Sequence, residues 1–342
     1  MSVATRPPTR SRGRRVASVA AGLVVALLVA LMLSLAIGSR SIPLPEVFGA
    51  VFGGVDSDNA TVVTSQRVPR TILGLACGLA LGMAGAVMQG HTRNPLADPG
   101  LFGVNGGASF GVALLVFTFG VSSPSAIVAA ALVGAAAASI LIFVAGLGSL
   151  RGSALVTLAV VGTTTAALLT ALTTALILLD KQTLDVLRFW EAGSLAAPDR
   201  ALWPWVFPLL AAGMALALVN GIALHELALG EEVAQALGTK VVTARVVGIA
   251  GVTLLCGGAT ALCGPIVFLG LVAPHFVRRT CGHDYRWLVP LAGLAGAVLL
   301  LLSDTLGRVV SPPGELEAGI VVAIVGAPVL LAITRSRRLV SL

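Results

Sequence analysis

The chain has 342 residues, of which 57% are hydrophobic and only 11% charged, and its formal net charge is +7. A soluble domain carries about 25% charged residues, so this composition excludes an ordinary water-soluble fold. The basic residues form no stripe with interleaved aromatic residues, which disfavours a nucleic-acid partner and favours contact with anionic lipid.

Ten apolar stretches of roughly membrane-spanning length follow one another along the chain. They cover residues 16–37, 68–90, 103–120, 125–146, 153–179, 201–221, 241–262, 265–280, 287–308 and 317–334. We therefore predict an all-α polytopic membrane protein, with a basic tail over 1–15 and a single transmembrane domain over 16–342. The first stretch exceeds the about 7–15 apolar residues of a signal peptide, so we expect it to be retained as a helix.

The charge distribution predicts the orientation of these helices. Ten crossings put both termini on one side, and fifteen basic residues fall on that side against seven on the other. The positive-inside rule then places both termini in the cytoplasm. A polar loop over 180–200 separates two half-repeats, 16–200 and 201–338, with opposite orientation, and each half contains a Gly- and Pro-interrupted segment, "GHTRNPLADPG" and "CGPIVFLGLVAPH". Interrupted crossings at matched places indicate a transport pathway.

The second stretch carries a small residue at every fourth position. These residues are Gly74, Gly78, Gly82, Ala86 and Gly90. Such a stripe lets two helix backbones approach closely inside a membrane, so we interpret it as a packing surface.

Few residues could support chemistry. The chain has no phosphate-binding GxxxxGK[ST] motif, its histidines are far apart, and its four cysteines are scattered without CxxC spacing. We expect no enzyme activity, no catalytic or metal site and no cofactor. Asp304 lies in an apolar stretch four residues before Arg308, which favours a local ion pair over a proton relay.

The internal loop segment "GEEVAQALG" predicts a short helix. Glu231 and Glu232 lie in its first turn, where the helix dipole favours acids, and Gly238 suits a C-terminal cap. Ala234, Ala236 and Leu237 are expected to form an exposed apolar surface. A partner's groove is the favoured contact for this surface, and a position flat on the lipid is the alternative.

Several long motifs in order resemble those of the FecCD-type permeases of ABC importers for ferric siderophores, haem and cobalamin. They are "RVPRTILG", "QGHTRNPLADPGLFGV", "GEEVAQALG", "GPIVFLGLVAPHFVRR" and "GELEAGIVVAIVGAP". The resemblance implies a type II importer permease in the bacterial cytoplasmic membrane, paired with a second copy or a similar permease. It also implies two separate ATPase subunits and an external substrate-binding protein or lipoprotein.

The resemblance assigns roles to three groups of residues. Arg67, Arg70 and Arg308 match positions that meet acidic residues of the binding protein. For Arg67 and Arg70 docking is favoured over interfacial anchoring, and for Arg308 the pair with Asp304 is an equal explanation. Asn94 and Leu96, with Ser153 as a further candidate, match a cytoplasmic gate, for which a purely structural turn is the alternative. Glu231, Glu232, Ala234, Leu237 and Gly238 match the helix that couples to the ATPase.

The frequency of cargoes in the family favours a ferric siderophore, with haem and cobalamin as alternatives. Two other classes stay open from the residues alone, namely a secondary transporter built from inverted repeats and a membrane-embedded enzyme or structural protein.

Overall fold

A computed structural model describes residues 9–38, 40–54, 57–147, 154–196, 200–311 and 314–335. In chain order its α-helices are α1 (Thr9–Ala36), α2 (Leu44–Phe52), α3 (Asp58–Val62), α4 (Val68–Thr92), α5 (Val104–Phe119), α6 (Pro124–Leu147), α7 (Ala154–Leu179), α8 (Lys181–Trp190), α9 (Trp203–Leu227), α10 (Glu231–Ala236), α11 (Val241–Cys263), α12 (Leu269–Cys281), α13 (Tyr285–Val310) and α14 (Ala318–Arg335). Short π and 3₁₀ turns, Val63–Arg67, Pro99–Phe102 and Arg200–Leu202, connect some of them. No β-strand occurs within these ranges.

Each of the ten predicted crossings contains one long helix, which confirms the polytopic all-α prediction. Seven helical segments within the described ranges have the length and apolarity to cross a membrane, and α5 and α14 are shorter apolar helices. The remaining helix of the ten is α12. It begins at Leu269 rather than at residue 265, because the preceding Phe268 has a positive φ of 67° that interrupts the helix.

The structure differs from the prediction outside the long helices. α1 begins at Thr9, inside the expected basic tail. The tail has no proline after Pro8, and its arginines are good helix formers. α2, α3 and α8 were not predicted. α8 begins where the Asp180 carboxylate accepts a hydrogen bond from the Thr183 backbone N at 2.7 Å, which caps the helix.

α4 is the central helix of the bundle and packs against α9, α11, α12 and α13. The small-residue stripe is a packing surface, as predicted: a Cβ on Gly82 would lie 2.1 Å from the Ala292 carbonyl oxygen, and one on Gly78 would lie 2.5 Å from Ala297 Cα. At the periphery, α1 and α6 leave valine, leucine and isoleucine side chains exposed, as expected of helices that face lipid.

The bundle has two ends that carry different polar groups. We call the end that contains Arg70 and Glu315 the Arg70 face, and the opposite end, which contains α10, the α10 face. α4 and α9 both run from the Arg70 face to the α10 face: Arg200, just before α9, donates to the Ser65 carbonyl at 2.8 Å, just before α4. At the other end Arg93 contacts Leu227, the last residue of α9.

Candidate functional site

The Arg70 face contains a cluster of ionic side chains. Arg70 Nε donates to the two Asp304 carboxylate oxygens at 2.9 and 3.1 Å, and Arg70 Nη1 contacts Glu315 Oε2 at 2.6 Å. Arg308 Nε lies 3.3 Å from Asp304 Oδ2, so the predicted local pair is present. The Asp304 side chain is 1% exposed, and its single carboxylate therefore pairs with two arginines.

The other polar contacts of this face attach α1 to the cluster. Arg308 Nη1 donates to the Ser34 carbonyl at 3.0 Å, and the Ser34 and Thr71 hydroxyl oxygens are 2.8 Å apart. Arg67 donates to the Leu35 carbonyl at 2.7 Å and also to the Arg40 carbonyl. The three arginines thus connect the start of α4, the end of α1 and the end of α13.

The exposure of these arginines bears on the docking expectation. Arg67, Arg70 and Arg308 are 6%, 9% and 3% exposed, and each makes contacts within the chain. The three guanidinium groups are therefore largely covered by the chain itself. The docking role of the three arginines stays a prediction.

The 94–103 segment, which follows α4, is an ordered turn. α4 ends at Arg93, whose φ of 48° turns the chain out of the helix. Asn94 Oδ1 then accepts a hydrogen bond from the Leu96 backbone N at 2.9 Å. Asp98 Oδ1 accepts one from the Gly100 backbone N at 2.9 Å, which caps the 3₁₀ turn Pro99–Phe102. Both polar side chains satisfy backbone N–H groups next to prolines.

The same segment rises back into the bundle. A Cβ on Gly270 would lie 2.7 Å from Pro99 Cδ, and one on Gly85 would lie 1.9 Å from the Gly270 carbonyl oxygen. Gly85 precedes Thr92, the last residue of α4, by seven positions, which corresponds to about 10 Å of helix. Pro99 is therefore buried inside the bundle, where its irregular backbone packs against α12.

The expected gate residues lie at the start of this segment, next to the α10 face. Asn94 is exposed on the α10 face and Leu96 is half-buried. Ser153 lies outside the described residues. The gating role of Asn94 and Leu96 stays a prediction.

A buried pair that the sequence analysis missed holds the segment against α12. Gln89 Nε2 lies 3.4 Å from the Ala97 and Gly270 carbonyl oxygens, and Arg278 Nη2 donates to Gln89 Oε1 at 2.6 Å. Gln89 is 0% exposed and Arg278 is 6% exposed. The sequence carries no signal for this pair, because Gln89 borders the polar residues His91 to Arg93 and Arg278 stands beside Arg279.

The α10 loop has the predicted short helix, with Glu231 and Glu232 in its first turn and Gly238 just beyond its end at a φ of 92°. Glu231 Oε1 pairs with Arg245 Nη2 at 2.6 Å.

The predicted exposed surface of α10 needs one correction. Ala234 is 0% exposed, because this side of the short helix packs inward against the bundle. The exposed apolar side chains are instead Val233, at 46%, and Leu237, at 61%, together with Ala236. Gly230, the residue before α10, lines a cavity of about 610 Å³, whose lining also includes Arg93, His225 and Asp284.

Metal-binding groups are not apparent in the described ranges. No cluster of three or more His, Cys, Asp or Glu side chains that could hold a metal ion occurs there, and the four cysteines are buried. The polar groups of the site interact through hydrogen bonds and ion pairs.

Comparison with known proteins confirms the family resemblance found in the sequence motifs. Residues 26–336 match the FecCD transport family. The chain is 45% identical to the ferric enterobactin transport system permease protein FepD of Escherichia coli, over 92% of this chain and 94% of FepD. It is 33% identical to the hemin transport system permease protein HmuU of Yersinia pestis, over 90% of this chain and 94% of HmuU.

A solved structure also matches the fold. It is an ABC transporter of metal-chelate type in an inward-facing conformation, with a TM-score of 0.79 and 27% identity over 94% of this chain and 99% of that one. These relatives are membrane transport subunits whose ATPase is a separate chain, so the expectation of no enzyme activity is confirmed. The chain therefore belongs to the FecCD transport family and is a permease of the metal-chelate type of ABC importer.

Proposed function

We propose that this permease carries a ferric siderophore into the cytoplasm, that an external binding protein delivers the cargo, and that ATP hydrolysis in two separate subunits drives transport. The observation that carries the proposal is the 45% identity with a ferric enterobactin permease over nearly the full length of both chains. A second permease copy, identical or similar, would complete the pathway, with Asn94, Leu96 and Ser153 at its cytoplasmic gate.

The distribution of charge supports the orientation that this function needs. On the α10 face lie Arg93, Lys240, Arg245, Arg278, Arg279 and Arg286. Because cytoplasmic loops carry an excess of basic residues, we assign the α10 face and both termini to the cytoplasm. The Arg70 face is then external, where Arg67, Arg70 and Arg308 support the surface on which the binding protein docks.

The exposed side of α10 supports the site for the ATPase. Val233 and Leu237 offer an apolar surface, and Glu231, Glu232 and Gly238 fix the start and end of the helix. A short amphipathic helix that projects from a membrane domain suits a groove in a soluble partner. Ala234 contributes by packing α10 onto the bundle.

Haem is the second candidate cargo, because the hemin permease HmuU is 33% identical to this chain. The cargo is tested by binding ferric catecholate, ferric hydroxamate and haem to the cognate external protein. Uptake of the same compounds is then measured in cells that lack this chain and in cells complemented with it. Siderophore binding with chain-dependent uptake is expected, and uptake of haem alone would reverse the assignment.

The energy source is tested in vesicles. The permease with its ATPase and binding protein is expected to concentrate cargo only when ATP is present and hydrolysable. Accumulation by the permease alone, driven by an ion gradient, would overturn the proposed function.

A further inference from the structure

The end of α4 is attached to the helices that flank α10. Arg93, at the C-terminus of α4, donates through Nη2 to the carbonyl of Leu227 at 3.2 Å. Leu227 ends α9, four residues before α10 begins. The residue just before the 94–103 segment is thus bonded to the end of α9, on one side of α10.

Asn220 connects the same end of α4 to the start of α11, on the other side of α10. Its Oδ1 lies 2.8 Å from His91 Nε2 in α4, and its Nδ2 donates to the Ala244 carbonyl in α11 at 2.6 Å. Asn220 is 1% exposed, and each half of its amide joins a different helix to α9. Gly248 of α11 permits this contact, since a Cβ there would lie 1.9 Å from His91 Nε2.

Residues of α10 and of the turn after it also bond to the two flanking helices, α9 and α11. Glu231 pairs with Arg245 in α11 at 2.6 Å, and the Thr239 hydroxyl donates to the Glu226 carboxylate in α9. A displacement of α10 must therefore displace the adjoining ends of α9 and α11.

The 94–103 segment is likewise fixed to α4. The Asn94 side chain closes its own turn onto the Leu96 backbone N, and Gln89 in α4 contacts the Ala97 carbonyl oxygen. Movement of the end of α4 must therefore carry this segment with it.

We infer that Asn220 is a positioning residue that transmits displacement of α10 to the 94–103 segment through His91 and the end of α4. The inference rests on the proposed function, in which an ATPase moves α10 and the 94–103 segment gates the pathway. A buried amide with both halves bonded across three helices is a rigid joint, because any rotation would leave a buried polar atom without its partner.

The test is the ratio of cargo transported to ATP hydrolysed in vesicles that contain the whole transporter. Asn220→Leu removes both bonds at similar volume and is expected to lower this ratio roughly tenfold, while ATP hydrolysis continues. The matched control is Thr260→Val, which removes a buried bond between α11 and α5, to Asn105 at 2.9 Å, and should leave the ratio unchanged. A merely structural defect would lower transport and hydrolysis together and keep the ratio.

A second variant and a second measurement cover the case in which Asn220→Leu does not assemble. Arg93→Gln alters an exposed side chain and should lower the ratio in the same direction. A spin label on Asn94→Cys, selective because the four native cysteines are buried, should change mobility on ATP addition and lose this response with Asn220→Leu. An unchanged ratio and an unchanged label response would overturn the inference, whereas absence of ATP-driven uptake by the unmodified transporter would overturn the proposed function instead.

Discussion

Arg70 and Asp304 are 234 positions apart in the sequence and form a buried ion pair with Nη2–Oδ1 at 2.8 Å and Nε–Oδ1 at 2.9 Å. The pair joins the start of the central helix α4 to the far half of α13. Since Arg308 shares the same carboxylate and also bonds α1, one buried acid organises three helices at the Arg70 face.

Replacement of this acid should destabilise the protein strongly. Asp304→Asn would leave Arg70 and Arg308 without their shared buried counter-charge, which we expect to cost about 3–5 kcal/mol of unfolding free energy. Thermal unfolding in detergent measures the effect as a lower Tm. Asp185→Asn is the control, because its pair with Arg188 is 3.6 Å long and about half exposed. Equal Tm values for the two variants would contradict the prediction.

The glycine stripe of α4 gives a second prediction. Gly82→Ala would place a Cβ 2.1 Å from the Ala292 carbonyl and push α4 away from α13, at a cost of at least about 1–3 kcal/mol. Detergent stability and yield of folded protein are the measurements. Gly22→Ala makes the same change in α1 with no atom within 4 Å, so it should behave as the unmodified chain does.

The exposed side of α10 can be tested apart from its buried side. Leu237→Glu, at a residue 61% exposed, should abolish copurification of the ATPase while the permease keeps its Tm. Leu237→Met should retain the complex. Ala234→Leu should instead lower the Tm, since the added carbons have no space in a 0% exposed position. Retained ATPase binding with Leu237→Glu would reject this contact.

The turn between α12 and α13 predicts a pH dependence. Hydrogen bonding to Arg286, and the charge of His225, hold the pKa of the Asp284 carboxyl below its usual value despite partial burial. A lowered pKa in the folded state stabilises the protein above the unfolded pKa of about 3.9, and this contribution is lost as the pH falls through the folded value. Asp284→Asn should therefore lower the Tm at pH 7, and the difference from the unmodified chain should shrink as the pH falls below about 4 and vanish below the folded pKa. A difference that stayed constant as the pH was lowered would assign the effect to packing.

Local patterns in the sequence were sufficient for the long helices and for α10. Apolar length predicted the ten crossings, and the acids and glycine of "GEEVAQALG" predicted the short helix. The spacing of Asp304 and Arg308 predicted their pair, because four residues make one helical turn.

Contacts between distant residues were beyond such reasoning. Asn220 and His91 are 129 positions apart, and Gln89 and Arg278 are 189 apart, so nothing in their spacing relates them. Each becomes a partner only once α4 is surrounded by the helices of the second half. The inward side of Ala234 was missed for the same reason, since a six-residue helix has too few positions to reveal which side is buried.

The ionic cluster also sets an order for biogenesis. During synthesis, Arg70 is made 234 residues before its partner Asp304. Likewise Ser34, whose carbonyl accepts from Arg308, is made 274 residues before that arginine. A nascent chain that stops short of α13 holds a cation in the bundle without its counter-ion, a state disfavoured by about 3–5 kcal/mol. Closure of the Arg70 face is thus a late event, and the ninth crossing completes the packing of the first two.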